Sequence, residues 1–443
     1  MSEDAGSTPI ERIELAHAAA LPRLRGGPAW ARRRSAALER LLAHGLPDRR
    51  DENWKYLDWT EIGRRGFHLR EAPVLAGGQL APLLLGLPAA RRIVLTDGQY
   101  DHALSSAVSG DGIAVESLAA AVERDPEGVA QRLRTPGDDA DDRFALLAEA
   151  FTNDGLLIRI ADGASEGEML YVVHVSTGAT PAASHSRILI EAGRGSSARL
   201  VEHFVSVNEG ADFSNLAAEI RIADGALLEH LRLHQRAADA VQVETVLVRQ
   251  ARDSRYTQRG FVLGGRIVRS NLHLRLEGPG AEAGIHGLFM VDGSRQADLY
   301  TLIEHAAART RSVQVFRGVA TDRGRGAFNG RIVVHEGAPK TDAQQSSRNL
   351  ILSPLAEINA RPQLEILTDD VKCSHGATTG SLDANQLFYL LSRGIDPETA
   401  RGLLTFAFCE DVVAGVADPA LRRHLEELVV GRLPDRDIIK EFV

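Results

Sequence analysis

Two side chains suited to a soft metal stand two positions apart in DDVKCSHGATTGSLD, residues 369–383. The stretch QLEILTDDVKCSH reads as strand leading into strand, and in an extended chain residues i and i+2 point to the same side. Cys373 and His375 then face together, with Lys372 and Ser374 on the opposite face. One thiolate beside one imidazole suits zinc or iron–sulfur chemistry. A structural zinc or a 4Fe–4S cluster takes about four protein ligands. The one other cysteine, Cys409, falls on a separate helical stretch, and the chain has no Cys-x-x-Cys. Metal binding here therefore needs ligands from elsewhere: another subunit, sulfide or a transient donor. The alternative is a small buried thiol next to a hydrogen-bonded imidazole, since free cysteine is usually buried.

Other candidates carry less chemistry. His203, His230, His234, His273, His286, His305 and His335 lie in or near strands. They could line a metal path, but such scattered histidines are expected as surface or stacking residues. Glu304 and His305 invite an acid–base reading, yet adjacent strand residues point to opposite faces. RGRGAFNG (323–330) and GAPKTD (337–342) resemble phosphate-binding turns, but neither matches G-x-x-x-x-G-K-S/T, so no ATP-hydrolysing loop is expected. RDENWKYLDW (50–59) reads as a packed helix end.

The elements that must position these residues fall into three regions: 1–155 mainly helical, 156–382 β-rich, 383–443 helical. Thr8-Pro9 supplies a cap and first-turn proline for a first helix, and a second runs from Pro28 to Gly45. RRIVLTDGQY (91–100) reads as a strand with a turn, and GIAVESLAAAVERDP (112–126) as a strand entering a helix. TPGDDADD (135–142) reads as a polar loop, followed by a helix over 143–152. From about 156 short alternating stretches recur, such as YVVHVS, RLVEHFVSV and NLHLRLE, separated by Gly, Ala, Asp or Asn. Eleven or more short strands without intervening helices suggest a sandwich, a barrel or a solenoid. The scarcity of hairpin turns favours stacked parallel coils. After 383, Asp383, Asp396-Pro397 and Asp418-Pro419 each open a helix. Three short amphipathic helices bury little core alone, so they need the β-region or another protein.

Composition narrows the class. A net charge of −9 argues against a general nucleic-acid or anionic-membrane binder. Two cysteines do not make a disulfide framework, which suits a reducing compartment. The N-terminus does not read as a signal peptide, and no run approaches the roughly 20 apolar residues of a membrane helix. A soluble cytoplasmic protein is expected.

The stretch 348–396 carries NLILSP, PQLEI, DDVKCSHGAT and LD-x-x-QLFYL-x-SRGI. Together these resemble the C-terminal signature of the SufB/SufD family of iron–sulfur cluster assembly proteins. SHGAT stands where the SufB branch typically has EHEAT, which favours the SufD branch. RDENWKY resembles the family's short Trp-Tyr motif, and the helical, β-rich, helical layout agrees along the whole chain. The resemblance implies a mainly β fold, a right-handed parallel β-helix flanked by N- and C-terminal α-helical regions. It implies a non-catalytic scaffold that pairs with a SufB-like paralogue and docks a SufC-like ABC ATPase through its C-terminal helices. The ATPase-facing residues would be Leu387, Phe388, Leu391, Leu403 and Phe408. It also implies a transient iron–sulfur cluster at the SufB–SufD interface, held on this side by His375 with Cys373 beside it. A flavin in the complex and a homodimer of the isolated chain are left open. The competing class is a solenoid polysaccharide lyase or hydrolase, but those are usually exported and favour aromatic platforms, and aromatics are 5% here. A cysteine hydrolase using Cys373 and His375 fails on geometry: a thiol two residues from its base on one strand leaves little room for an oxyanion site and an orienting group.

Overall fold

The computed structural model describes residues 8–433, apart from 64, 71–74, 88–89, 107–108, 111, 135, 138–141 and 179–181. Most of the expected polar loop at 135–142 lies outside the described residues, as do both termini.

Two ten-stranded sheets enclose one long core. The chain alternates between them. Ile267–Leu276 lies in one sheet, Glu282–Val291 in the other, and Gln296–His305 returns to the first. From Asp154 onward each strand pairs in parallel with the strand two further along. The protein is a parallel β-solenoid with two strands per coil. In the regular part, residues one coil apart pair 29 positions away, Ile267 with Gln296 and Gln296 with Arg325. Inward positions are filled by Ile, Leu, Val and Phe from both sheets, and this burial stabilises strands that have no hairpin partner.

The N-terminal end is closed. Ala90–Thr96 pairs in parallel with Ser165–Ser176, and Ile113–Ser117 adds antiparallel to Asp154–Ile160. The first region is thus helical with strands that cap the solenoid. The helix signals read from sequence hold: Thr8 and Glu11 form a capping box on Pro9–Ala20, and Gly27–His44 follows. Asp125 ends Leu118–Arg124 and caps Pro126–Arg132 through its bond from the Gly128 amide.

The segment 51–58 is not a helix end. It is a turn-rich strap across the solenoid flank. Trp54 is buried over the Arg269 guanidinium, 4.1 Å from ring centre, and Arg269 pairs with buried Asp298 at 2.8 Å. Asn53 donates to Tyr300 Oη at 3.3 Å and accepts from Asn329 at 3.0 Å, and Glu52 pairs with Arg361 on the last strand of that sheet. The segment is packed as expected, but in turns rather than helix, and Trp54 gains a buried cation–π contact with Arg269.

The C-terminal helices Ala384–Ser392, Pro397–Val413 and Pro419–Val430 start at Asp383, Asp396 and Asp418, whose carboxylates accept from two backbone amides each. Gly394, at φ 84°, ends the first. The second and third pack through Val412, Val413, Leu421, Leu425 and Val429 onto Leu231, Leu233, Leu288 and Val319 on the outer face of one sheet. Among the described residues no helix is long and apolar enough to cross a membrane.

Candidate functional site

The C-terminal end of the solenoid is built differently from the closed end. Glu357–Ile366 and Val371–Gly380 are the terminal strands of the two sheets, and each is paired on one side only. Along Val371–Gly380 only Val371 and Cys373 are half-buried and every other residue is exposed. Exposed Leu355, Ile366 and Leu367 lie on or beside the same end. An unpaired, partly apolar sheet edge of this kind is a template for a further strand.

Cys373 and His375 both stand on this last strand. Cys373 pairs in register with Ala343 and packs partly against the solenoid core, so its side chain faces inward. The period of two turns His375 to the same inward side, as the sequence predicts, but beyond the last covered layer. Burial pushes the Cys373 thiol above its ordinary value, partly offset by the Ala343 backbone. A thiol held in its neutral form is a poor ligand until a metal or a positive charge arrives. His375 makes no hydrogen bond among the described residues, and it pairs in register with Gln345. Cys409 does not join them: it is buried in the helix–sheet cluster, its thiol pushed up to about 12 by burial. Among the described residues no group of three or more His, Cys, Asp or Glu could hold a metal ion.

Of the histidines expected at surface or stacking positions, His203 stacks on Tyr171 and His234 on Phe204, but both are buried, as is His230. His230, Arg232 and His234 point into the solenoid, while Leu231 and Leu233 face the C-terminal helices. Glu202 accepts from His174, His230 and Arg232, each at 2.8 Å, and Arg232 reaches Glu244 on the opposite sheet at 2.7 Å. Burial drives His174 and His230 down, so each donates to Glu202 as a neutral ring. Burial also disfavours the Arg232 cation, but Glu202 and Glu244 outweigh it and raise its pKa. His203 is buried as well, bonded to Tyr171 and Gln235. Glu304 and His305 do face opposite ways: His305 bonds Thr310 and Ser312 inside, and Glu304 pairs with Arg275 and His335 outside. The segment 323–330 is a turn and strand of the solenoid, and 337–342 a turn leading into the next strand.

Residues 174–408 match the family described as "SUF system FeS cluster assembly, SufBD core domain", and residues 26–171 match the "SufBD protein N-terminal region". The chain belongs to the SufB/SufD family. It is 32% identical to the iron–sulfur cluster assembly protein SufD of Escherichia coli, over 90% of this chain and 92% of that one. It is 26% identical to the SufD of Bacillus subtilis over 74% of this chain and 75% of the relative. A SufBD family protein of Synechocystis is also 26% identical, over 90% of each chain.

The five residues that the SufB/SufD resemblance assigns to a partner divide in two. Phe388 and Leu391 are exposed and Leu387 half-buried on Ala384–Ser392, a helix with no fully buried residue. Leu403 and Phe408 are half-buried against the chain's own solenoid flank, and Phe408 lies under the Arg317 guanidinium at 5.7 Å. Sequence reasoning missed the inward Glu202, Arg232 and Glu244 and the buried amide of Gln345. For Arg232 the signal is present in LLEHLRLHQ, where polar residues recur at every second position from His230.

Proposed function

We propose that this chain is a non-catalytic scaffold subunit for iron–sulfur cluster assembly. Its part in cluster assembly follows from SufB/SufD membership. The finer reading is that the open end of the solenoid receives the matching end of a SufB-like paralogue. A nascent cluster then forms between them on His375, with Cys373 beside it, before passing to apo-proteins. One observation carries this reading: the chain's one adjacent thiol–imidazole pair sits on the terminal strand, whose outer edge is unpaired, at the open end of the solenoid. A second chain added there would bury His375 and bring its own ligands to complete the set. Neutral imidazole and thiolate both bind iron. The cluster is cargo here, held and then released.

Exposed Phe388 and Leu391, with half-buried Leu387 beside them, form the surface we assign to a SufC-like ABC ATPase, which would supply the nucleotide chemistry. A cytoplasmic setting fits an oxygen-sensitive cargo and unpaired cysteines.

The test is co-expression of this chain with a SufB-like and a SufC-like protein and anaerobic purification by a tag on this chain alone. The expected result is a stable complex of all three, carrying iron and sulfide. Recovery of this chain without the paralogue, under conditions where both are soluble, would contradict the reading.

A further inference from the structure

Beneath His375 lies a buried side chain with no partner. Gln345 is 3% exposed, and neither its amide oxygen nor its amide nitrogen has a hydrogen-bond partner. An orphaned buried polar atom costs about 1–3 kcal/mol, so gaining a partner at this position is stabilising. Other inward positions nearby are apolar, Ala343 on the same strand and Ile285 two coils below in the same column.

Resting on the assignment of His375 above, we propose that Gln345 is the positioning residue of this site: its Oε1 accepts the Nδ1–H of His375 and leaves the Nε2 lone pair free for iron. Three observations carry this. Gln345 and His375 are paired in register on neighbouring parallel strands, about 4.8 Å apart, within the span of a glutamine side chain. Two columns along, the same two strands already make such a bond: Asn349 and Thr379 are also paired in register, and Asn349 Nδ2 donates to Thr379 Oγ1 at 3.3 Å. Finally, the amide of Gln345 has a second place to rest. It lies across the interior against Gly330, where a Cβ would stand 1.9 Å from Gln345 Nε2. The glycine leaves room for the amide to lie away from His375 while the end is open.

Metal-binding imidazoles ordinarily donate their other N–H to a fixed acceptor, which sets the tautomer and orients the ring, and losing that acceptor weakens metal binding about 10- to 100-fold. Gln345 is the buried acceptor in the same column, one coil below His375. Leu364 and Pro362 stand on the facing strand and offer no side-chain acceptor.

The experiment compares Gln345→Leu, His375→Ala and the double variant in the co-expressed complex. It reads melting temperature and iron retained under a chelator challenge. The expected result is opposite movement: Gln345→Leu melts at or above wild type, because an orphan amide is gone, yet retains iron about tenfold less well. In the His375→Ala background the same change should have no further effect on iron. Two results would overturn the proposal while leaving the site intact: unchanged iron retention in Gln345→Leu, or iron and melting temperature falling together. Native iron in His375→Ala would instead remove the site reading itself, and the Gln345 role with it.

Discussion

Acid should unfold this protein through its buried histidines. Burial pushes His185 and His203 down to about 3, and His234 and His305 down to about 4, from an ordinary value of 6.5. All four are at most 4% exposed. The folded chain therefore holds them neutral at pH 5, while the unfolded chain protonates them. Stability is fully present above pH 6.5 and falls as the pH drops toward the folded values. At pH 5 each histidine costs about 2 kcal/mol relative to pH 7.5, or about 8 kcal/mol for the four. That is comparable to the whole stability of an ordinary domain. The depressed Glu202 and Glu244 act in the same direction, but lower, as the pH approaches the carboxylate range. The assay is proton uptake on unfolding at pH 5, by calorimetry in buffers of different ionisation enthalpy. At least about four protons should be taken up, and His305→Gln should remove one. Uptake of one proton or fewer would refute the buried-neutral assignment.

Further outcomes follow from named contacts. Arg232→Met should lower stability by about 3–5 kcal/mol, seen as a lower denaturant midpoint, because it strands Glu202 and Glu244 inside the solenoid. A loss below about 1 kcal/mol would mean that water reaches the cluster. Phe388→Asp, at a side chain 71% exposed, should leave the melting temperature unchanged and reduce ATPase capture at least tenfold. Unaltered capture would place the ATPase elsewhere. This point change is the better test than removing 383–443, which would also uncover Leu231, Leu233 and Leu288.

Much of this fold is legible because the signals are local. Asp396-Pro397 and Asp418-Pro419 are local helix-start signals, and the alternation in the β-region is a strand signal. The repeat length is not legible, because the coils differ in length: Val241 pairs 26 residues on with Ile267, whereas Arg325 pairs 32 residues on with Glu357. Alternation also carries a two-fold ambiguity, since it does not say which face is inside. In LLEHLRLHQ the ordinary reading puts His230, Arg232 and His234 in water. The fold reverses it, because the C-terminal helices cover Leu231 and Leu233 from outside. The strap at 51–58 depends on Arg269 and Asp298, more than 200 residues away, and no local pattern announces them. Cys373 and His375 were found because a strand fixes their common face. Gln345 was not, because its meaning depends on the coil above it.

The assembly role rests most directly on His375. The complex should be co-expressed and purified without oxygen, with wild type and His375→Ala compared for subunit ratio, melting temperature, iron and sulfide. Near-native ratio and melting with iron strongly reduced is the predicted result, since the exposed imidazole contributes nothing to the core it overlies. Native iron in a well-folded His375→Ala complex would contradict it.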